Sequence, residues 1–480
     1  MNHSLIFHSG GTCEDTEQSP NSTIHHLPDE VLLEVFDFYR RDIHSHPYDY
    51  IWREQFGWFN LAHVCRKWRA VMFASAYRLD LSIFVGPKKP GHIERILFCP
   101  FLILLDYKRM FEDITLCALC RMHSALEYHD RVHEISFEGT NAWFDEFFGA
   151  TNCPFPKLES LVLRSRYGEE LEIPDTFLGG PDLSNLRLRR LSLYGVSFES
   201  TSLMLSCATS LTDLFLRTNT AFSPSAETSL LACLQNMPCL HSLDLSLLFR
   251  PLDSPSLPPS PKDIVSLPEL TRLRYVGPSI FLDALVAGLS APSLRGVDIK
   301  FVYAIWPPVV HLPRFINEIE ERFHTVYVAF LERDYCLSLQ RQSGFIGDCE
   351  LGLSIRSEWL IRMGCALSTR LANVEELRVT FDTTADKDNI PWRKFYHQFP
   401  SVKVLRTEGA KSIYCIARTL HQNHEDSEPD DLGFFPALEE IDLGKEPFYN
   451  SRRGPQLAAF EPFVSARQQA GCPVKVFFRP

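Results

Sequence analysis

The chain has 480 residues, and its 48 Lys and Arg against 60 Asp and Glu give a formal net charge of −12. Hydrophobic residues make up 45% and aromatic residues 12%, which allows a sizeable core and excludes global disorder. The acidic balance argues against broad nucleic-acid binding, because that needs a dominant basic face. The length suits two or more domains, or one extended repeat structure.

The N-terminal sequence MNHSLIFHSGG lacks the basic start and the long apolar stretch of a signal peptide. The longest apolar run, ILFCPFLILL at 96–105, contains Pro100 and is far shorter than the roughly 20 residues that span a bilayer. The 14 cysteines do not follow the spacing of a disulfide framework. These features predict a cytoplasmic or nuclear protein with reduced thiols and no membrane contact.

Residues 1–23 are polar and are predicted to form a flexible tail, followed by a helical module at 24–76. The first predicted helix places Pro28 in its first turn, where the missing N–H costs nothing. A second helix is predicted from Asn60, with its basic residues on the face opposite its apolar stripe. The two apolar stripes consist of Leu27, Val31, Leu32, Val35 and Phe36, and of Leu61, Val64, Cys65, Trp68, Val71 and Met72. The spacer at 41–59 is aromatic and His-rich.

A repeated unit, Pro-x-[L/V]-x-x-[L/V/I]-x-[L/V/I], characterises the chain from 77 to 480. It begins at Pro156, Pro238, Pro268, Pro292, Pro400 and Pro436, and units without proline begin at Val132, Leu188, Leu211, Phe323 and Val374. From 132 to 323 the first apolar positions are 23 to 30 residues apart, and the register weakens after 323. Each unit predicts a short strand whose alternate side chains enter a continuous core, followed by a connection that is often helical.

Two segments are predicted to be loops inserted into this array. The segment at 250–262, RPLDSPSLPPSPK, is rich in Pro and Ser and is predicted to lack fixed structure. The segment at 421–431, HQNHEDSEPDD, is polar and acidic and is predicted to be exposed.

The strand positions that flank the inward apolar residues form a predicted binding face. Between 158 and 276 this face carries five arginines against two aspartates, whereas from 294 to 444 acidic residues outnumber basic ones by five to three. The residues predicted to bind a partner are Arg164, Arg190, Phe215, Arg217, Asp244, Arg272 and Arg274. Two interpretations remain open, an ordinary solvated face or a site where arginines hold an acidic or phosphorylated protein.

The segment at 117–133, CALCRMHSALEYHDRVH, contains a CxxC motif near several histidines. A zinc site needs four converging ligands, and one CxxC is a weak signal, so no metal and no cofactor are predicted. The chain has no HExxH, no GxSxG and no Gly-rich phosphate loop. We therefore expect no catalytic residues and no enzymatic activity of its own.

The motif Leu27-Pro28-x-Glu30-Val31-Leu32-x-x-Val35-Phe36, followed by VCRKWR at 64–69, resembles an F-box. With the repeats, the chain resembles F-box proteins with leucine-rich repeats of the type expanded in mushroom-forming (basidiomycete) fungi. In those proteins a segment like FASAYRLDLSIF at 73–84 follows the F-box, and one like FVSARQQAGCPVKVFF at 463–478 ends the array.

The resemblance implies an α/β chain, with a small all-α F-box module followed by an irregular leucine-rich-repeat solenoid. Its parallel strands would form the concave face, and helices and loops the convex one. It also implies a substrate-recognition subunit of a Skp–cullin–F-box ubiquitin ligase, which binds a Skp-type adaptor, through it a cullin, and a protein substrate of unknown identity. The residues implied in adaptor binding are Leu27, Pro28, Val31, Leu32, Val35, Phe36, Leu61, Val64, Cys65 and Trp68.

The spacer at 41–59 departs from the family pattern, because it is longer than the usual connection between the two halves of an F-box. It could form an extra helix or disturb adaptor docking. The alternative is therefore a leucine-rich-repeat scaffold whose degenerate F-box does not assemble a ligase.

Overall fold

A computed structural model gives the structure of the chain. It describes residues 27–44, 61–76, 78–79, 81–86, 102–107, 116–166, 171–180, 186–196, 204–218, 226–248, 264–301, 310–318, 324–330, 335–340, 351–355, 366–381, 395–407, 409–425, 435–445 and 457–479. The predicted tail at 1–23, the spacer from residue 45 to 59 and the predicted loop at 250–262 lie outside these residues.

The main helices of the described residues are α1 (Asp29–His44), α2 (Arg66–Ala74), α3 (Leu116–Leu126), α4 (Asn141–Ala150), α5 (Ala226–Gln235), α6 (Ser279–Ala287), α7 (His311–Asn317), α8 (Ser368–Leu371), α9 (Ala410–Glu425) and α10 (Glu461–Gln469).

The strands are β1 (Ser82–Val85), β2 (Leu102–Tyr107), β3 (Val132–Gly139), β4 (Ser160–Ser165), β5 (Arg190–Tyr194), β6 (Asp213–Thr218), β7 (Ser242–Leu247), β8 (Val265–Ser266), β9 (Arg272–Gly277), β10 (Leu289–Ser290), β11 (Gly296–Phe301), β12 (Thr325–Phe330), β13 (Tyr335–Gln340), β14 (Leu351–Ile355), β15 (Glu376–Phe381), β16 (Val404–Thr407), β17 (Glu440–Lys445) and β18 (Lys475–Arg479).

Sixteen of the described strands form one sheet, whose order is β1-β2-β3-β4-β5-β6-β7-β9-β11-β14-β13-β12-β15-β16-β17-β18. Neighbouring strands are parallel except where β13 pairs with β12 and β14. The short strands β8 and β10 pair with each other separately. The prediction of an α/β chain, with helices first and parallel strands after them, is confirmed.

The repeated apolar positions explain the core. Leu191 pairs with Leu161 on one side and with Leu214 on the other, and Leu243 continues the same row. All four are buried. Because strand side chains alternate between faces, the residues between them lie on the opposite, polar face. The row of leucines thus fixes both the register of the strands and the composition of the second face.

The repeated prolines lie in turns just before the strands. In each of the six proline units, the N–H of the first apolar residue donates to the carbonyl of the residue before the proline, at 2.9 to 3.4 Å. Leu158 and Phe155 form one such pair around Pro156. Proline thus takes the second position of a β-turn, where its fixed φ is favourable and its missing N–H is not needed. The strand begins only four residues after the proline, as at Ser160.

Two features of the sheet differ from the sequence prediction. Strands β1 and β2 precede the first predicted unit, and β2 includes the end of the apolar run at 96–105. Strands β12, β13 and β14 form an antiparallel meander, with β14 paired to β11. This meander accounts for the weakened repeat after 323.

The second helix of the N-terminal module is shorter than predicted. It begins at Arg66, because Cys65 has extended backbone with φ −158° and its Sγ accepts a hydrogen bond from the Trp68 N–H at 3.4 Å. Leu61 and Ala62 are buried before this break, while Val64 is exposed. Val64 therefore does not belong to the buried stripe predicted for one continuous helix.

The predicted loop at 421–431 begins later than expected, since α9 continues to Glu425. The buried residues of α9, Ile413, Ile416, Ala417 and Leu420, recur at helical spacing. The packing of this face explains why the helix continues into the polar segment. Residues 426–431 lie outside the described part of the chain. No helix among the described residues is long and apolar enough to cross a membrane.

Candidate protein-binding surfaces

Helix α1 has an apolar stripe on its exposed side. Val31 and Val35 are each 42% exposed and Phe38 is 75% exposed. These residues are four and three positions apart, so they lie along one side of the helix. Exposed apolar side chains grouped in this way are typical of a surface that a partner covers.

The opposite side of α1 is the core of the helical module. Phe36 contacts Trp68 of α2 edge to face, with ring centroids 5.0 Å apart. Leu32 and Leu33 of α1 and Met72 of α2 are buried in the same cluster, which continues into the sheet. The stripe on α1 is therefore held in place by packing on its other side.

Polar contacts tie the beginning of the module to α2. Lys67 Nζ donates to the carbonyl of Leu27 at 2.6 Å and lies 3.5 Å from Asp29 Oδ1. Arg69 Nε donates to the carbonyl of Ala62 at 2.9 Å. These basic residues thus hold the module together.

The second surface lies on the polar face of the sheet, where an aromatic pair is stacked. The rings of Tyr194 on β5 and Phe215 on β6 are stacked with centroids 4.4 Å apart. The guanidinium of Arg164 lies 4.1 Å from the centre of the Tyr194 ring, and its Nη2 donates to the Tyr194 hydroxyl at 3.1 Å. Arg164 is therefore occupied by the aromatic pair.

Arg274 is held between two aspartates of neighbouring strands. Its Nη1 lies 3.5 Å from Asp244 Oδ2, and its Nε lies 3.3 Å from Asp298 Oδ2. Burial raises the pKa of Asp244 although Arg274 opposes that change, and the nearby Asp298 raises it further. Arg274 thus compensates acidic groups of its own sheet.

Four other cations of this face are exposed and form no ion pair among the described residues, although Asp213 stands across from Arg190 on the neighbouring strand. They are Arg190 on β5, Arg217 on β6, Arg272 on β9 and Lys300 on β11. Among the residues that the structure describes, none of the four has an ion-pair or hydrogen-bond partner for its side chain. With the Arg164–Tyr194–Phe215 stack, they form what we call the basic face.

The same side of the sheet is electrostatically different in β15–β18. Glu376 lies 2.5 Å from Arg378 and 3.0 Å from Arg406, measured from Oε1 to Nε and Nη1. Asp442 Oδ2 lies 3.4 Å from Arg406 Nε and 2.6 Å from Arg479 Nε. These five residues form a continuous chain of charge pairs, which we call the ion-paired face.

Residues 24–78 match the model of the F-box-like family. The match contains both helices of the N-terminal module and ends before β1. No curated protein matches the chain. Domains of this family generally bind Skp-type adaptors, and the exposed apolar stripe on α1 lies within the matched residues.

Within the F-box-like domain, the predicted adaptor-binding residues fall into an exposed group and a buried group. Pro28, Val31, Val35 and Val64 are exposed, and Leu27 and Cys65 are half-buried. Leu32, Phe36, Leu61 and Trp68 are buried and support the exposed group from within. Phe38 was not among the predicted residues, although it lies seven residues after Val31 and therefore on the same side of the helix as Val31.

The predicted partner-binding residues also divide. The structure brings Arg164 to the Tyr194–Phe215 pair and Arg274 to Asp244, while Arg190, Arg217 and Arg272 lie apart in the open. Tyr194 was missed as a member of the binding face, and Lys300 was counted on the face but not among the residues predicted to bind a partner. Both stand six residues after the first apolar residue of their units, as Arg217 does, so aligning the units could have found them.

No group of three or more His, Cys, Asp or Glu side chains suited to a metal ion occurs among the described residues. Cys120 and His123 of the CxxC segment are exposed on α3. The surfaces described above offer ionic, apolar and aromatic contacts, which suit binding of other macromolecules.

Proposed function

We propose that this chain is a substrate-recognition subunit of a Skp–cullin–F-box ubiquitin ligase, acting in the cytoplasm or nucleus. The match of residues 24–78 to the F-box-like family carries the proposal. The exposed stripe of Val31, Val35 and Phe38 supports it, since burial of each of these side chains against an adaptor would contribute roughly 1–3 kcal/mol.

We further propose that the strands after the F-box-like domain form an irregular leucine-rich-repeat solenoid that binds the substrate. Parallel pairing of the large sheet in chain order from β1 to β11, and the turn that begins each proline unit, support this. The polar face of the strands is the surface for the substrate.

In this proposal the chain contributes positioning and no chemistry. The F-box-like domain would attach the ligase, and the repeats would hold a substrate lysine near it, which raises the effective concentration of the reacting groups. The bond-forming steps belong to other subunits.

The proposal is tested by co-precipitation of a Skp-type adaptor and a cullin with the full chain. We expect the wild type to recover both, and Val31→Asp/Val35→Asp to recover at least tenfold less adaptor, because two charges would have to be buried in an apolar contact. Both valines are exposed, so the variant keeps its fold, which circular dichroism checks.

The matched control is Ile264→Asp/Val310→Asp, which changes two exposed apolar residues outside the F-box-like domain. Its adaptor recovery should equal that of the wild type. A wild-type chain that recovers neither adaptor nor cullin would favour the alternative, a repeat scaffold whose F-box-like domain does not assemble a ligase. The long spacer at 41–59 is the sequence feature that favours this alternative.

A further inference from the structure

The four cations of the basic face that form no ion pair are spread widely. Arg190 and Arg217 are on adjacent strands and two side-chain rows apart, which separates them by about 14 Å at ordinary strand spacing. Arg217 and Lys300 are three strands apart in the same side-chain row, again about 14 Å. Arg272 completes a four-cornered frame.

This spacing decides which kind of anion the face suits. A phosphate group is held tightly when several donors converge on it, often with a bidentate guanidinium. Here each corner supplies one cation. The further guanidinium near Arg272 and Lys300, that of Arg274, is already paired with Asp244 and Asp298, and the one near Arg217, that of Arg164, lies on the Tyr194 ring. Separate carboxylates fit the frame better than one phosphate.

An apolar site lies between two corners of the frame. Tyr194 is on the same strand as Arg190 and is paired across strands with Arg217. Its stacked pair with Phe215 is half-buried and therefore presents part of each ring to solvent. An apolar side chain of a ligand can contact the exposed parts of this pair, such as the ring edges, while flanking acidic groups reach the two arginines.

We propose that the basic face binds an extended acidic segment of a partner protein, with carboxylates at two positions four residues apart and an apolar residue midway. In an extended chain those carboxylates are about 13 Å apart, which matches the distance from Arg190 to Arg217. The proposal rests on the proposed function in one respect, since this segment would be part of the ligase substrate.

The test measures fluorescence anisotropy of labelled eleven-residue peptides with the full chain. The first peptide contains the core Glu-x-Phe-x-Glu. Two others replace both Glu by Lys or by phosphoserine, and a fourth keeps both Glu and replaces Phe by Gly. We expect the Glu/Phe peptide to bind at least tenfold tighter than the Lys/Phe peptide and about fivefold tighter than the Glu/Gly peptide. Its affinity should fall as salt is raised.

The variant Arg190→Glu/Arg217→Glu/Arg272→Glu should weaken binding of the Glu/Phe peptide at least tenfold. Arg314→Glu on α7, whose 78% exposed side chain pairs with Glu318, is a single charge reversal away from this face, and it should bind as the wild type does. Phe215→Leu should lose the preference for Phe over Gly. The three exposed arginines form no hydrogen bond or ion pair with other described side chains, so their reversal breaks no polar contact, and circular dichroism checks that the variant is folded.

Equal binding of the Glu/Phe and Lys/Phe peptides, or no effect of the triple variant, would overturn the proposal. If the phosphoserine peptide binds tenfold tighter than the Glu/Phe peptide, the face is a phosphate site and the proposal is wrong. If an oligouridylate competes fully with the Glu/Phe peptide, the face is a nucleic-acid site and the proposal is also wrong. Adaptor recovery by the same protein preparations separates the two proposals. Adaptor binding without peptide binding overturns only this inference, and the reverse result overturns only the proposed function.

Discussion

The basic face and the ion-paired face are parts of one side of one sheet, yet their arginines have different surroundings. Arg406 on β16 lies between Glu376 and Asp442, which occupy nearby positions on the strands at either side. Arg217 on β6 has Tyr194 and Ser246 as its cross-strand neighbours, and neither carries a charge. For these two arginines, the residues on the neighbouring strands therefore determine whether the side chain stabilises the sheet or remains available for a ligand.

The largest difference should appear when a carboxylate is removed from the ion-paired face. Asp442 is 2% exposed, pairs with Arg406 and Arg479 and accepts a hydrogen bond from the Gly444 N–H. Asp442→Ala leaves these groups without their acceptor, so the free energy of unfolding should fall by about 3 kcal/mol. Chemical denaturation measures the change.

Its matched control on the other region is Asp298→Ala, since the Asp298 side chain is 53% exposed. Water screens its pair with Arg274, and the expected change is within about 0.5 kcal/mol. Equal losses for the two aspartates would contradict the distinction between the faces.

A smaller effect is expected when the arginines themselves are compared. Arg406→Ala removes a half-buried cation with two acidic neighbours and should lower the free energy of unfolding by about 1–2 kcal/mol. Arg217→Ala should change it by less than about 0.5 kcal/mol, because Arg217 has no described side-chain partner. Thermal denaturation of both variants checks this ranking, and a reversed ranking would refute it.

The aromatic pair should make a modest contribution to stability. Phe215→Ala removes the stack with Tyr194, which is worth about 1 kcal/mol beyond the area it buries. Phe215→Leu keeps most of the apolar area and should recover part of the loss. Stability that is unchanged in the alanine variant would mean that the pair is held for binding alone.

The smallest expected effect concerns Asp244, whose pKa is raised chiefly by burial. A carboxyl with a raised pKa binds its proton more tightly in the folded state, so its ionisation lowers stability as the pH rises through the range between the unfolded and folded pKa. Asp244→Asn should therefore be within about 0.5 kcal/mol of the wild type at neutral pH, on the stable side. The advantage should disappear as the pH falls below that range, as measured by denaturation at several pH values.

Much of the sheet could be predicted from the sequence because its signal is local and repeated. The alternation around Leu161, Leu191 and Leu214 specifies which side chains enter the core, and the prolines mark the turns before the strands. The position of Arg274 between Asp244 and Asp298 could also be predicted, since all three stand four residues after the first apolar residue of their units.

Other features depend on contacts that no local pattern specifies. The pairing of β11 with β14 joins residues about fifty positions apart, and β13 runs against the direction that the repeats predict. The break at Cys65 depends on a side-chain cap inside an otherwise helical pattern. The unpaired state of Arg217 depends on its uncharged neighbours Tyr194 and Ser246 as much as on the residue itself.

The antiparallel meander has a consequence for how the protein is made. From β1 to β11, each new strand of the large sheet pairs with the one synthesised before it, so the sheet can grow as the chain leaves the ribosome. Strand β12 interrupts this order, because it lies three places from β11 and is joined to it only through β13 and β14. Among the described strands, the β11 edge waits longest for its partner, until β14 has been added, so mispairing of the nascent chain at this edge is favoured during that interval of translation.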